Sequence, residues 1–348
     1  MRRKVADMKR IFTLTAILLL AVVLAVSCGT GKVPERTIPE KLEAYEQYST
    51  PYVVQNDGKL HFYFMASMGL KVGDPSGDAQ KWGDSCLIVF PNGQTMLVDA
   101  GMGNYAPLLA LNLMKMGVWE LDYLIITHPH NDHAAGIYNG SNTILQYFKV
   151  GKCYYNGTYN SSWGSITQME DMLDIFNVPR EILKEGDSFE VSGVSFRIIN
   201  PPEGEAGKIM SLTPDVNNNS LVFRLDYGSF SALFTGDIYA AKEWELVAKY
   251  PEVLDVDLLK IPHHGHNTSS TRDFSAAVTP VLAVGTGHVA MDLNTYMSYT
   301  RTGSEVLMDY CDGYIHVWSD GTGLEYEHSK ERTVKLYVGY GPEAFANL

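Results

Sequence analysis

The sequence predicts an α/β protein built in layers, and three observations predict it. Short apolar runs recur from Leu60 onward, cut by Gly, Asn and Asp, and read as strands. Stretches with apolar residues at helical spacing fall between those runs, so strands and helices alternate. Hydrophobic residues make up 45% of the 348 residues and charged residues 19%, which is too apolar for disorder and lacks a fibrous Gly or Pro excess. That length allows one large domain or two ordinary ones, and neither a repeat nor a second domain is visible.

In chain order, the first segment reads as an address. Residues 1–10 hold Arg2, Arg3, Lys4, Lys9 and Arg10 against Asp7, and the run from Ile11 to Val26 carries no charge. The run is short for a membrane span and suits a signal-peptide core. Ala25-Val26-Ser27-Cys28 resembles the bacterial lipoprotein cleavage box, which implies a signal peptide over 1–27 and lipid on Cys28. An uncleaved anchor helix is the alternative. Both place the body at the extracytoplasmic face of a cell membrane. Residues 28–57 then read as a tether with a short helix around Pro39 to Tyr48, and 58–348 as the functional domain.

Strands are expected at Leu60–Ala66, Cys86–Phe90, Thr95–Val98 and Leu121–Thr127, with Pro91-Asn92-Gly93 as a hairpin turn. Residues 67–83, glycine-rich and poor in apolar residues, read as a surface insertion. Pro107–Met116 has helical spacing and stops at Gly117. Further strands are expected at Val194–Ile199, Leu221–Asp226, Ser231–Thr235, Val256–Ile261 and Val281–Val284, and helices at 165–176, 240–249 and 271–277. Ser270 and Asp273 are spaced like a capping box for the last of these.

The charge is −13, and removing 1–27 leaves 22 basic against 39 acidic residues over 321, or −17. Proteins that grip nucleic acid by its backbone are normally basic, so the balance argues against extended duplex DNA as a partner. Cys86, Cys153 and Cys311 lie far apart in or beside apolar stretches and read as buried thiols, with no structural disulfide.

The histidines carry the functional signal. Six of ten fall in two clusters, His128, His130 and His133, then His263, His264 and His266. The first follows the apolar run Leu121–Ile126, and the end of a buried strand is where open α/β sheets place ligands. In an extended loop alternate residues point the same way, so His128 and His130 can share one ion while Asp132 and His133 face a second position. Phe234-Thr235-Gly236-Asp237 and Ile261-Pro262-His263-His264-Gly265 also follow apolar runs. Imidazole and carboxylate are the usual ligands of zinc and similar ions, and histidines buried without partners are costly. His61, His288, His316 and His328 stand alone and read as structural.

His128-x-His130-x-Asp132-His133, with Leu97-Val98-Asp99-Ala100-Gly101 before it and Thr235-Gly236-Asp237 after it, resembles the metallo-β-lactamase superfamily. Gly83-Asp84-Ser85, the stretch Asn217–Ser220, and Pro262-His263-His264-Gly265 with Thr268-Ser269-Ser270 narrow the resemblance to the hydrolase domain of competence-type DNA-uptake proteins. The match runs from about Leu60 to Val284. The resemblance implies a four-layer αββα sandwich with the metal site at one edge of its two sheets. It also implies His128 and His130 on a first metal, Asp132, His133 and His263 on a second, Asp237 bridging, and Asp99 orienting the first cluster. A third histidine common on the first metal has no counterpart, and Asp215, Asn217, Asn218 and Asn219 stand there instead. An oxygen-rich shell favours manganese more than an imidazole shell does, so two divalent ions are expected, zinc with manganese as the alternative.

Such a pair of ions acidifies a shared water and stabilises charge on the oxygen under attack. Asp132 is placed to orient that water, and His264 or His266 to protonate the leaving group. The leading expectation is therefore an envelope-anchored metal-dependent hydrolase, a phosphodiesterase acting on a nucleotide, nucleic acid or other small phosphodiester. Rival expectations are a hydrolase of another envelope ester or amide (phosphorylcholine ester, lactone or β-lactam) and a metal-stabilised binding lipoprotein without turnover.

Overall fold

The computed structural model describes residues 33–39, 45–70, 79–139, 142–160, 165–333 and 335–338. The signal segment, Cys28 and residues 29–32 and 40–44 of the tether lie outside the described residues, as do residues 71–78 of the 67–83 insertion. Of the helix expected around Pro39 to Tyr48, Tyr45–Tyr48 is described, and it is helical.

Two mixed sheets form the body. The larger has eight strands in the spatial order Glu325–His328, Ile315–Ser319, Leu60–Phe64, Cys86–Val89, Thr95–Val98, Glu120–Ile126, Lys149–Tyr155 and Arg180–Ile182. The smaller has seven, Ser188–Val191, Val194–Asn200, Val222–Tyr227, Phe230–Phe234, Leu258–Lys260, Leu282–Gly285 and Glu305–Met308. Each sheet is antiparallel over its hairpin-linked half and parallel over the other, where Thr95–Val98, Glu120–Ile126 and Lys149–Tyr155 run side by side. Phe230–Phe234, Leu258–Lys260 and Leu282–Gly285 do the same in the second sheet. Parallel neighbours need crossovers, and helices such as Ala106–Lys115, Ala240–Lys249 and Arg272–Val278 supply them.

Alternation along the strands divides the apolar residues between layers. Phe62, Phe64, Ile88 and Val98 of the first sheet meet Phe196, Phe223, Phe234 and Val284 of the second in one buried cluster. Leu233, Leu259 and Ala283 point the other way and join Leu246, Phe274, Val278 and Tyr299 of the covering helices. The layers are those of an αββα sandwich, as expected. The strands expected from the apolar runs are present with ends shifted by a residue or two. Gly83 ends the insertion inside the molecule rather than on its surface, next to Trp82, which is 2% exposed and stacks on Tyr105. Cys86, Cys153 and Cys311 are buried free thiols.

His61 and His316 are not solitary. Their Nδ1 and Nε2 atoms lie 3.1 Å apart, with Asp57 beside His61 and Glu327 beside His316. Among the described residues no helix is long and apolar enough to cross a membrane.

Candidate metal centre

Loops at the ends of parallel strands converge at one edge of the sandwich. Glu120–Ile126 leads into Thr127–His130 and the helix Asn131–Tyr138, whose first turn carries Asp132 and His133, Phe230–Phe234 leads into Thr235-Gly236-Asp237, and Leu258–Lys260 into the turn Pro262–Gly265. Asp99, after Thr95–Val98, adopts a left-handed φ of 58°, which turns its carboxylate into the cluster. Its Oδ1 accepts from the Thr127 amide at 2.8 Å, and its Oδ2 accepts from the Thr127 hydroxyl and from His133 Nδ1, each at 2.8 Å.

Those contacts decide the tautomers. The Thr127 hydroxyl gives its proton to Asp99, so it accepts from His128 Nδ1 at 3.1 Å. His264 Nδ1 donates to the Thr286 carbonyl at 2.9 Å. With Nδ1 of His128, His133 and His264 serving as donors, the Nε2 lone pairs face the centre, the form a metal needs. His133 Nε2 and His264 Nε2 each lie 3.2 Å from Asp237 Oδ2, and His264 Nε2 lies 3.2 Å from Asp132 Oδ2. His128 Nε2 is 3.0 Å from His130 Nδ1 and 3.8 Å from Asp237 Oδ2. Asp237 Oδ2 is thus the atom shared by the two halves of the cluster, the position the resemblance implied for a bridge.

Asp84 belongs to the same cluster, within 4.8 Å of ligand atoms of His133, Asp237 and His264. Its oxygens nevertheless approach the Nδ1 side of both imidazoles, 3.3 Å from His264 and 4.0 Å from His133. Asp84 therefore backs the histidines, as Asp99 does, rather than facing an ion. Burial alone would raise its carboxyl, but Lys260 and His264 hold it well below the usual carboxylate range. Lys260 Nζ lies 2.6 Å from Asp84 Oδ2 at a position 6% exposed.

The charges test whether cations fit. Asp84, Asp99, Asp132 and Asp237 bring four carboxylates, against the ammoniums of Lys81, which pairs with Asp132, and Lys260. Without ions the excess is met by protons. Burial lowers His133, but Asp237 and Asp99 raise it to about 10, and His264 is raised well above its ordinary value against the same opposition. His128 is driven down by burial and then by His133, so it stays neutral. His133 Nε2, His264 Nε2 and Asp237 Oδ1 are buried and make no hydrogen bond of acceptable geometry. Buried, imidazole-and-carboxylate lined and short of positive charge, the site fits divalent ions.

The structure departs from the sequence reading at three points. His264, expected as a proton donor, is buried with its Nε2 3.2 Å from both Asp132 and Asp237, grouped with the ligand-type atoms of the cluster. His263, expected as the ligand, is partly exposed, hydrogen-bonds Thr268 through Nδ1, and keeps Nε2 4.0 Å from Asp237. Left-handed φ values at His263, His264 and Gly265 (45°, 57° and 78°) wind this turn so that strand alternation does not apply. The helix Arg272–Val278 is capped by Thr271, which accepts from the Phe274 amide, while Glu243 takes the Ser270 and Thr271 amides.

Of the residues standing for the absent third histidine, Asp215 is exposed, Asn218 accepts from the Tyr239 amide, and Asn219 donates to Thr158 and Glu205. Asn217 alone is buried with an amide oxygen that makes no hydrogen bond. Sequence reasoning assigned no role to Lys81, Asp84 or Lys260. The signal for Lys260 was a lysine ending an apolar run just ahead of the second histidine cluster.

Residues 82–288 match the metallo-beta-lactamase superfamily. Curated relatives include ComE operon protein 3 of Bacillus subtilis (strain 168), 26% identical over 175 residues, 49% of this chain and 20% of that protein. Competence protein ComA of Neisseria gonorrhoeae is 29% identical over 179 residues, 51% of this chain and 22% of that protein. The match thus spans about a fifth of the length of these relatives. Among solved structures, the metallo-beta-lactamase fold protein YhfI from Bacillus subtilis aligns with a TM-score of 0.46 at 14% identity, covering 72% of this chain and 96% of that one. With more than half of its length matched and its ligand-type side chains gathered at one sheet edge, the chain belongs to the metallo-beta-lactamase superfamily.

Proposed function

We propose that the chain is a phosphodiesterase held at the extracytoplasmic face of a membrane by lipid on Cys28, acting on a nucleotide, nucleic acid or other small phosphodiester. The observation that carries the hydrolytic part is Asp237 Oδ2 lying 3.2 Å from both His133 Nε2 and His264 Nε2, with Asp132 on the far side of His264. The phosphodiester part is supported by the likeness to proteins named for competence. Location is supported by the basic start, apolar run and Cys28 of the sequence.

Two divalent ions there, zinc or manganese, would supply an acidified water and positive charge against the oxygen under attack. The chain's residues do the rest. Asp99 and the Thr286 carbonyl hold His133 and His264 by their Nδ1 sides and keep Nε2 directed inward, with the Asp84 charge beside the His264 ring. Asp132 presents a carboxylate oxygen able to accept a hydrogen bond from, and so orient, a water at the centre. His266, partly exposed with its ring 5.0 Å from that of His263, is the imidazole placed to hand a proton to a departing oxygen.

The test is turnover by zinc- or manganese-loaded protein of bis(p-nitrophenyl) phosphate, nitrocefin and a simple lactone. Hydrolysis of the phosphodiester, lost in D132A, is the expected result. Turnover of nitrocefin or lactone without phosphodiester cleavage moves the assignment to another ester or amide, and full activity in D132A removes the proposed site.

A further inference from the structure

We propose that Lys81 is a specificity residue, an ammonium built over the mouth of the metal centre to hold an anionic group of the substrate. The inference deepens the phosphodiesterase reading and takes its substrate class from it.

Lys81 closes the strand Ala79–Lys81, which pairs with Met68–Leu70 so that Lys81 lies opposite Met68. The backbone after it is fastened to the centre. Trp82 donates to the Ser67 carbonyl at 2.7 Å, and Asp84 donates to the Asp132 carbonyl at 2.8 Å. Gly83, at φ +85°, sits so close that a Cβ would come 2.2 Å from the Asp132 carbonyl oxygen. The strand end is thereby held against the histidine loop, and the Lys81 ammonium is delivered onto Asp132 Oδ2, the oxygen 3.2 Å from His264 Nε2.

The centre's two lysines differ in a way that assigns them different work. Lys260 has a side chain 7% exposed and neutralises buried Asp84, so it serves the fold. Lys81 has a side chain 33% exposed against 14% for Asp132, so beside its ion pair it keeps access to solvent, and to a solute arriving from it, that Lys260 lacks. The protein carries −13, so an anionic substrate approaches against a net negative charge, and an ammonium at the edge of the centre gives it a positive contact beside the ions that the site fits. An ion held by Asp132 shares its carboxylate, which weakens its grip on the ammonium and leaves Lys81 available to an anion.

The experiment titrates inorganic phosphate into zinc-loaded full-length wild type, K81R and K81Q by calorimetry, with ions per chain counted and affinity scored per loaded site. K81Q should weaken phosphate binding about tenfold, and K81R should recover most of it, as expected for one charge-assisted hydrogen bond. Phosphate affinity within twofold of wild type in K81Q overturns the proposal, as does the absence of phosphate binding by wild type. A K81Q protein that only loads less zinc, with its filled sites binding phosphate like wild type, overturns it too. Bis(p-nitrophenyl) phosphate turnover is measured separately. If wild type does not cleave it while phosphate binding still depends on Lys81, the phosphodiesterase reading falls and the anion anchor stands.

Discussion

Replacing Asp309 by asparagine should flatten part of the pH dependence of folding. Asp309 is 2% exposed, at the end of the strand Glu305–Met308, and its two oxygens accept from the Ser67 amide at 2.6 Å and the Gly287 amide at 2.9 Å. Burial raises its carboxyl from 3.8 to about 7, with those amides opposing and Asp84 assisting. Between these two values the folded chain keeps a proton that the unfolded chain has released. Stability from this group therefore falls as pH rises through that window, and the penalty is complete above the folded value. A shift of about three pKa units corresponds to about 4 kcal/mol in total, about 2 kcal/mol of it between about pH 5.5 and about pH 8.5. The assay is urea unfolding of wild type and D309N across that range. Metal-site groups titrate in both proteins and cancel in the difference, and any fixed cost of the amide, which can accept from only one of the two donors, shifts the variant equally at every pH. Wild type should lose about 2 kcal/mol relative to D309N on going to the alkaline end. Parallel stability curves would refute the reasoning, because Asp309 would then ionise as an exposed carboxyl does.

Three further outcomes follow from the centre. H264Q should lower the number of ions per chain, measured by elemental analysis, more than H263Q does, because His264 Nε2 lies 3.2 Å from two carboxylates while His263 Nε2 stands 4.0 Å from one; the reverse order would restore the motif-based assignment. K260M should destabilise the fold by about 3–5 kcal/mol by stranding Asp84, and D84N/K260M should regain part of that loss in chemical denaturation. An additive double variant would show that the pair does not interact. G83A should cost more than the roughly 1–2 kcal/mol of left-handed backbone alone, since its Cβ would strike the backbone of Asp132, and should empty the centre of metal. Wild-type melting and metal content in G83A would mean that the backbone at Gly83 and the helix start at Asp132 are not in contact.

Much of this protein was legible in the order of its residues. Apolar runs placed the strand ends, and the imidazole and carboxylate clusters follow those ends directly, so His128, His130, Asp132, His133 and Asp237 could be named as candidate ligands from local sequence and a family pattern. The apolar run from Leu60 likewise announced a strand, and all five residues of Leu60–Phe64 are buried. Strands such as Ile315–Ser319 and Glu325–His328 were not legible. The first is defined by pairing with Leu60–Phe64, and the second, polar throughout, only by lying along the first. The choice between His263 and His264 was also beyond sequence, because consecutive left-handed residues set side-chain direction in that turn and the period of a strand does not hold there. Lys81, Asp84 and Lys260 gain their roles from partners distant along the chain, Asp132 for the first and each other for the remaining two. A charge declares its function by the field around it, and that field exists only once the sheets have closed on the site.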